Sequence, residues 1–183
     1  MAGVIRTRVG YTGGRKKSPT YHDLGDHTES LQIDFDPSRL SYAELLDVFW
    51  KTHNPCGHRW SRQYMSAVFC ADAEQARLAL ATRDREAARL GNKITTELLP
   101  LEEFSLAEDY HQKYSLQHCF PLLKELSAIY PEMSDLVRST TAARLNGFLG
   151  GYGTTETLEQ EIDSYGLSAE SKEVLRANVQ RRR

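Results

Sequence analysis

Three side chains able to give or hold a proton recur in a suggestive pattern: Tyr21 and Glu29 on one irregular stretch, and Tyr64 farther along. Tyr21 follows Ser18-Pro19-Thr20, and Glu29 closes Asp26-His27-Thr28-Glu29, so a single loop between two predicted strands delivers both. Loops held by a rigid scaffold are where binding and catalytic groups concentrate. A phenol can hydrogen-bond a polar substrate oxygen, and a carboxyl placed in a partly desolvated cleft keeps its proton toward neutral pH and can donate it. Pro19 biases Ser18 toward extended backbone and stiffens the approach. Tyr64, within Ser61-Arg62-Gln63-Tyr64-Met65-Ser66, stands at the mouth of a later predicted strand and fits the same oxygen-binding role. Glu108, Asp109 and His111 open a predicted helix, where the acids either answer the positive end of the helix dipole or line a site wall. Each residue alone also has an ordinary reading, as a solvated acid or an amphipathic packing ring.

Other reactive groups are fewer. His53, Cys56 and His58 lie close together, but a zinc site needs four ligands, or three and a water, and no second Cys/His cluster of recognisable spacing follows. No metal is therefore assigned. Arg59 near Cys56 would favour a thiolate, which leaves a reactive thiol open beside an inert one.

The elements that must position these groups alternate along the first hundred residues. Val4 to Tyr11 is rich in β-branched residues and ends at Gly13-Gly14, which predicts a strand. Ser30 to Phe35 alternates polar and apolar residues until Asp36-Pro37 stops it. Ser41 with Glu44 three residues on predicts a capping box, and Leu45, Leu46, Phe49 and Trp50 form the apolar stripe of the helix it opens. A strand over Met65–Cys70, a long helix over Ala73–Leu90 closed by Gly91, and a strand over Ile94–Leu99 follow. This order predicts an α+β fold, a two-layer α/β sandwich. Helices are then expected over Ala107–Gln117, Pro121–Ile129, Met133–Leu149, Thr155–Tyr165 and Ser168–Gln180, with Ser168 as an N-cap. The expected division is an α/β domain over residues 1–118 and a helical extension over 119–183.

Bulk properties narrow the function classes. Among 183 residues, 23 Lys and Arg oppose 25 Asp and Glu, a formal charge of −2, which gives no reason to invoke nucleic acid or a membrane surface. Arg181-Arg182-Arg183 reads as a solvated tail. No apolar run reaches the length of a membrane span or signal peptide. Cys56, Cys70 and Cys119, an odd set without paired spacing, point to a reducing compartment. The expectation is a soluble, cytoplasmic protein.

Taken together, the motifs resemble the A-type peptide methionine sulfoxide reductases. The resemblance runs through Val9-Gly10-Tyr11-Thr12-Gly13-Gly14, Ser18-Pro19-Thr20-Tyr21 and His27-Thr28-Glu29. It continues through Phe35-Asp36-Pro37, Ser41 to Leu46, Val48-Phe49-Trp50, Gln63-Tyr64-Met65-Ser66 and Ala107 to Tyr114. It covers about residues 3–118, and the tail, including Ala142 to Gly147, resembles that of a subfamily with a helical C-terminus. The resemblance implies a split βαβ core and thiol-dependent reduction of methionine (S)-sulfoxide, a repair of oxidative damage. It implies Glu29 as proton donor and Tyr21 and Tyr64 as oxygen-binding groups. The same resemblance implies no bound cofactor and an external thiol reductant, thioredoxin or dithiothreitol.

Three features depart from that pattern. The stretch from Tyr21 to Glu29 is shorter than in most of the family. An acidic residue that often precedes Gln-Tyr is absent, with Arg59 near its place. The Gly-Cys-Phe-Trp motif that supplies the attacking cysteine has no counterpart, and Cys56, Cys70 and Cys119 stand in other settings. By motif order it belongs upstream of Gly3, together with the first strand and helix of the core. The expectation is a chain inactive by itself, with neighbouring strands left short of partners at about 1–3 kcal/mol per unmet buried backbone group. The alternatives are a non-catalytic module that binds methionine sulfoxide or a protein partner, and a nucleophilic role for Cys56.

Overall fold

The structure, a computed structural model, describes residues 1–57 and 61–181. His58 and Arg59, with the metal and thiolate readings that used them, and the terminal Arg182 and Arg183 lie outside the described residues. Two compact units emerge: Met1–Val4 with Val9–Glu108, and Ile5–Arg8 with the chain from Asp109 onward. Apart from Ile5–Arg8, the division falls after Glu108.

The β-branched opening run forms β1 (Val4–Thr12), and β2 (Thr28–Phe35) and the three-residue β5 (Phe104–Leu106) flank it in the order β2-β1-β5. β5 runs antiparallel to β1, with Gly10 opposite Leu106 and Thr12 opposite Phe104. A second sheet holds only β3 (Ala67–Cys70) and β4 (Glu97–Pro100), paired in parallel with Val68 opposite Leu98. Parallel neighbours need a crossover, here α2 (Ala73–Leu90). Asp72 caps α2 by accepting the Gln75 N–H at 2.8 Å, and Gly91 ends it in the left-handed region. α1 (Tyr42–Lys51) opens with the expected capping box between Ser41 and Glu44. Its Trp50 is buried and donates its indole N–H to Thr82 of α2 at 3.1 Å. Leu46, Trp50, Val68, Ala79 and Ile94 form the core beneath this second sheet.

Of the elements that differ from the sequence expectation, three do so for a clear local reason. The strand expected from Ile94 pairs only from Glu97, because the N–H groups of Thr95 and Thr96 go to the Pro55 carbonyl instead. The helix expected over Ala107–Gln117 is a 3₁₀ turn at Asp109–His111 followed by α3 (Tyr114–Gln117), since Lys113 takes a positive φ of 49° between them. The helix expected over Met133–Leu149 is two, α5 (Met133–Arg138) and α6 (Thr140–Leu149). Ser139 is extended at ψ 130°, and its hydroxyl accepts the Ala142 N–H at 3.2 Å. That local bond offers the backbone an alternative to an unbroken helix.

The second unit is completed by α4 (Phe120–Ile129), α7 (Thr155–Glu161) with a 3₁₀ turn at Ile162–Tyr165, and α8 (Ala169–Arg181). Leu116, Leu126, Leu145, Leu158 and Leu175 lie in its core. Ser168 behaves as the N-cap of α8, accepting the Ser171 N–H at 3.2 Å, while Glu125 of α4 accepts the Ser168 N–H at 2.6 Å. Arg144 of α6 forms a two-bond ion pair with Glu161, whose carboxylate also accepts the Tyr165 hydroxyl at 2.5 Å. Lys113 is buried, and its ammonium donates to the Thr7 carbonyl at 2.5 Å and to the Thr7 hydroxyl at 3.0 Å. Among the described residues, no helix is long and apolar enough to cross a membrane.

Candidate active site

The loop carrying Tyr21 and Glu29 is fixed from both ends. Gly13 lies at φ +78°, and a Cβ there would sit 2.5 Å from the Phe69 ring. A Cβ on Gly14 would fall 2.6 Å from the Asp26 carboxylate and from the His27 ring. Glycine is what lets the chain turn this tightly against those two residues. Across the gap, the Asp26 carboxylate accepts the N–H groups of Arg15 at 2.9 Å and Lys16 at 3.2 Å, and these bonds hold its pKa below the usual carboxylate range. Buried His27 accepts the Gly14 N–H on Nδ1 at 3.3 Å and donates from Nε2 to the Lys16 carbonyl at 2.8 Å, so the proton sits on Nε2. Arg62 closes the far side, donating to the carbonyls of Asp26 and Gly13, each at 2.8 Å. Ser18 is left-handed at φ +50°, not extended as Pro19 predicts. The bonds from Arg15 and Lys16 to Asp26 and the Thr20–Asp23 bridge fix the chain on both sides of it.

Glu108 braces the loop. One carboxylate oxygen accepts the hydroxyl of buried Tyr11 at 2.6 Å, and the other accepts the backbone N–H of Tyr21 at 2.9 Å. The residue read from sequence as a helix cap or site wall is thus a strut between β1 and the loop.

Tyr21, Glu29 and Tyr64 converge. Tyr64 lies in a 3₁₀ turn, Arg62–Tyr64, capped by Ser61 and tied to β2 by the hydroxyl of buried Thr28, which donates to the Arg62 carbonyl at 3.0 Å. Gln63 donates from its amide to Glu29 Oε1 at 2.6 Å and to the Tyr64 hydroxyl at 3.1 Å. Partial desolvation, then the Glu29 carboxylate and the Tyr21 hydroxyl, push the Tyr64 phenol above its usual pKa. All three residues are exposed. A cluster of hydroxyl donors and one carboxyl on an open surface suits an oxygen that accepts hydrogen bonds. Gln63 and Arg62 hold the cluster together; in the sequence the one signal for Gln63 is its place in the Gln-Tyr motif, and for Arg62 its position just before it.

Asp109 and His111, expected as substrate-binding residues, belong to the second unit. There the Asp109 carbonyl accepts the Gln117 amide at 2.7 Å, and the His111 ring lies 4.2 Å from that of Tyr110.

The family profile "Peptide methionine sulfoxide reductase" matches residues 1–141. The chain belongs to the peptide methionine sulfoxide reductase family. A second profile, the helical domain of selenoprotein methionine sulfoxide reductase A, matches residues 132–179. A peptide methionine sulfoxide reductase of Drosophila melanogaster is 43% identical over 168 residues, covering 91% of this chain and 67% of that one. Peptide methionine sulfoxide reductase A5 of Oryza sativa is 40% identical over 172 residues, covering 89% and 67%. Among solved structures, Mxr1 from Saccharomyces cerevisiae in reduced form is similar at a TM-score of 0.58 and 28% identity, over 61% of this chain and 70% of that one. Methionine sulfoxide reductase A of Corynebacterium diphtheriae follows at 0.53 and 32%, over 61% and 63%. Members of this reductase family are oxidoreductases that use thiols to reduce methionine sulfoxide.

Against that chemistry the cysteines are informative. Cys70 is buried, and burial pushes its thiol above the usual pKa, away from the thiolate a reductase needs. Cys56 packs at the edge of the second-sheet core and lines a cavity of about 720 Å³ with Trp50, His53, Arg89 and Asn92. The His53 ring there is occupied by the Phe49 carbonyl at 2.9 Å and the Thr96 hydroxyl at 3.0 Å. Cys119 belongs to the second unit, packed against its helical core. Among the described residues, no group of three or more His, Cys, Asp or Glu side chains is arranged to hold a metal.

Proposed function

We propose that this chain carries the oxygen-handling part of a methionine (S)-sulfoxide reductase site. The observation that carries this reading is the meeting of Glu29 and Tyr64 through the Gln63 amide, with Tyr21 beside them. In the reaction, a thiolate adds to the sulfoxide sulfur while Glu29 gives a proton to the oxygen, which leaves poorly without one. The protonated oxygen passes from the substrate sulfur to the thiol sulfur as the S–O bond and the transient S–S bond break, so methionine departs as a thioether reduced by two electrons and the thiol is left as a sulfenic acid. A second thiol condenses with it, releasing water and leaving a disulfide that an external dithiol, thioredoxin in the cell or dithiothreitol in an assay, reduces. Tyr21 and Tyr64 donate to the sulfoxide oxygen throughout. Cys56, Cys70 and Cys119 lie in other settings, so the attacking thiolate is assigned to none of them.

Calorimetry with a peptide carrying methionine (S)-sulfoxide tests the reading. The chain is expected to bind it, Glu29→Gln and Tyr64→Phe to weaken binding about tenfold each, and dithiothreitol to drive no turnover. Absence of binding, or binding indifferent to both substitutions, would overturn it. Turnover that disappears in Cys56→Ser would instead assign the nucleophile to Cys56.

A further inference from the structure

The Gln63 amide gives both of its protons within one small cluster, to Glu29 Oε1 and to the Tyr64 hydroxyl oxygen. A carboxylate only accepts, so the nitrogen end of this amide must face Glu29. Its placement is equally constrained. The Gln63 backbone N–H bonds the Ser61 hydroxyl at 3.2 Å, and the preceding carbonyl, that of Arg62, holds the hydroxyl of Thr28, the residue before Glu29. Gln63 and Glu29 therefore project from adjacent positions on two elements pinned at a part-buried bond.

Two consequences follow for protons. With Oε1 occupied as an acceptor, a proton carried by Glu29 resides on Oε2. With its oxygen accepting from Gln63, the Tyr64 hydroxyl must direct its own hydrogen elsewhere, and the Tyr21 hydroxyl is the partner beside it. An arriving oxygen with lone pairs can take Tyr21's place. We propose that Gln63 is the positioning residue that sorts these protons, committing Glu29 Oε2 and the Tyr64 hydroxyl as two donors to one bound oxygen. The arrangement favours a pure acceptor such as a sulfoxide over a ligand hydroxyl or a bare thioether. This inference rests on the oxygen-handling reading of Glu29 and Tyr64.

The test uses the full chain and the same sulfoxide peptide. Gln63→Leu is expected to weaken binding about tenfold, the worth of one well-placed hydrogen bond. Gln63→Glu should bind equally poorly at pH 7.5, where two adjacent carboxylates repel, and recover most of its affinity at pH 5, where the introduced carboxyl holds a proton to donate. A merely structural role would leave that loss independent of pH. Without ligand, the side-chain amide resonances of Gln63 should move when Glu29→Gln replaces the charged acceptor. If the peptide binds but these resonances do not move, or Gln63→Leu binds like the parent, the proton-sorting role is overturned alone. If the resonances track Glu29 while the parent chain binds no peptide, the oxygen-handling reading falls and takes this role with it.

Discussion

The carboxylate of Glu108 accepts the backbone N–H of Tyr21 across 87 residues of sequence. Its other oxygen holds Tyr11, which is buried, so this one side chain ties the loop to the first sheet at Tyr11. Glu108→Ala removes both acceptors and is expected to cost about 1–3 kcal/mol, read as a lower urea midpoint. Glu108→Gln keeps one acceptor and should lose about half as much. Unchanged midpoints in both variants would remove the strut.

The glycine turn is the second point of failure. Gly14→Ala pushes a methyl group into Asp26 and His27, both already bonded to the chain on either side, and neither can yield without releasing it. Gly13→Ala adds a residue at φ +78° against Phe69. Each should destabilise the first unit by about 1–3 kcal/mol and weaken sulfoxide-peptide binding more than Glu108→Gln does, since the turn itself moves. Urea unfolding and calorimetry on the two variants check this.

Lys113 makes stability depend on pH. Burial, then the charge of Arg8, push its pKa from 10.5 down to about 8. Between those values the unfolded chain binds the proton and the folded chain does not, so stability rises with pH across that window. From pH 8 to 9.5 the gain should be about 1–2 kcal/mol. It is measured below the range where the raised phenols of Tyr42 and Tyr165 would reverse the trend. Lys113→Met should flatten the profile; an equally steep profile in that variant would exclude Lys113 as its source.

Arg144 and Glu161 are best removed together. The Arg144 side chain is only 12% exposed, so Glu161→Ala leaves a nearly buried cation and is expected to cost about 3 kcal/mol. Replacing both, Arg144→Met with Glu161→Leu, should cost less than Glu161→Ala alone. A double variant as unstable as the sum of the two singles would show that the pair does not act as a unit.

What the sequence discloses depends on how local the cause is. The Ser41/Glu44 capping box, the Gly91 end of α2 and the Gly13-Gly14 turn are written in residues that act on their own neighbours, and all can be read in advance. β5 cannot, because three residues carry no period and exist as a strand only against Gly10 to Thr12. Lys113 looks like any polar helix residue until its left-handed backbone and its bond to Thr7 are seen. In the candidate site, Tyr21, Glu29 and Tyr64 stand out through their motifs, whereas the roles of Glu108 and Gln63 depend on partners visible only in three dimensions.

The bond from Lys113 to Thr7 spans 106 residues, and it sets an order of events on the ribosome. Ile5–Arg8 belongs to the helical unit yet is synthesised before all of Val9–Glu108. At about 5–20 residues per second, Thr7 waits roughly 5–20 s before Lys113 exists to meet it. The helical part of this chain thus has one piece made ahead of Val9–Glu108 and cannot close until that whole stretch has been translated between its two pieces.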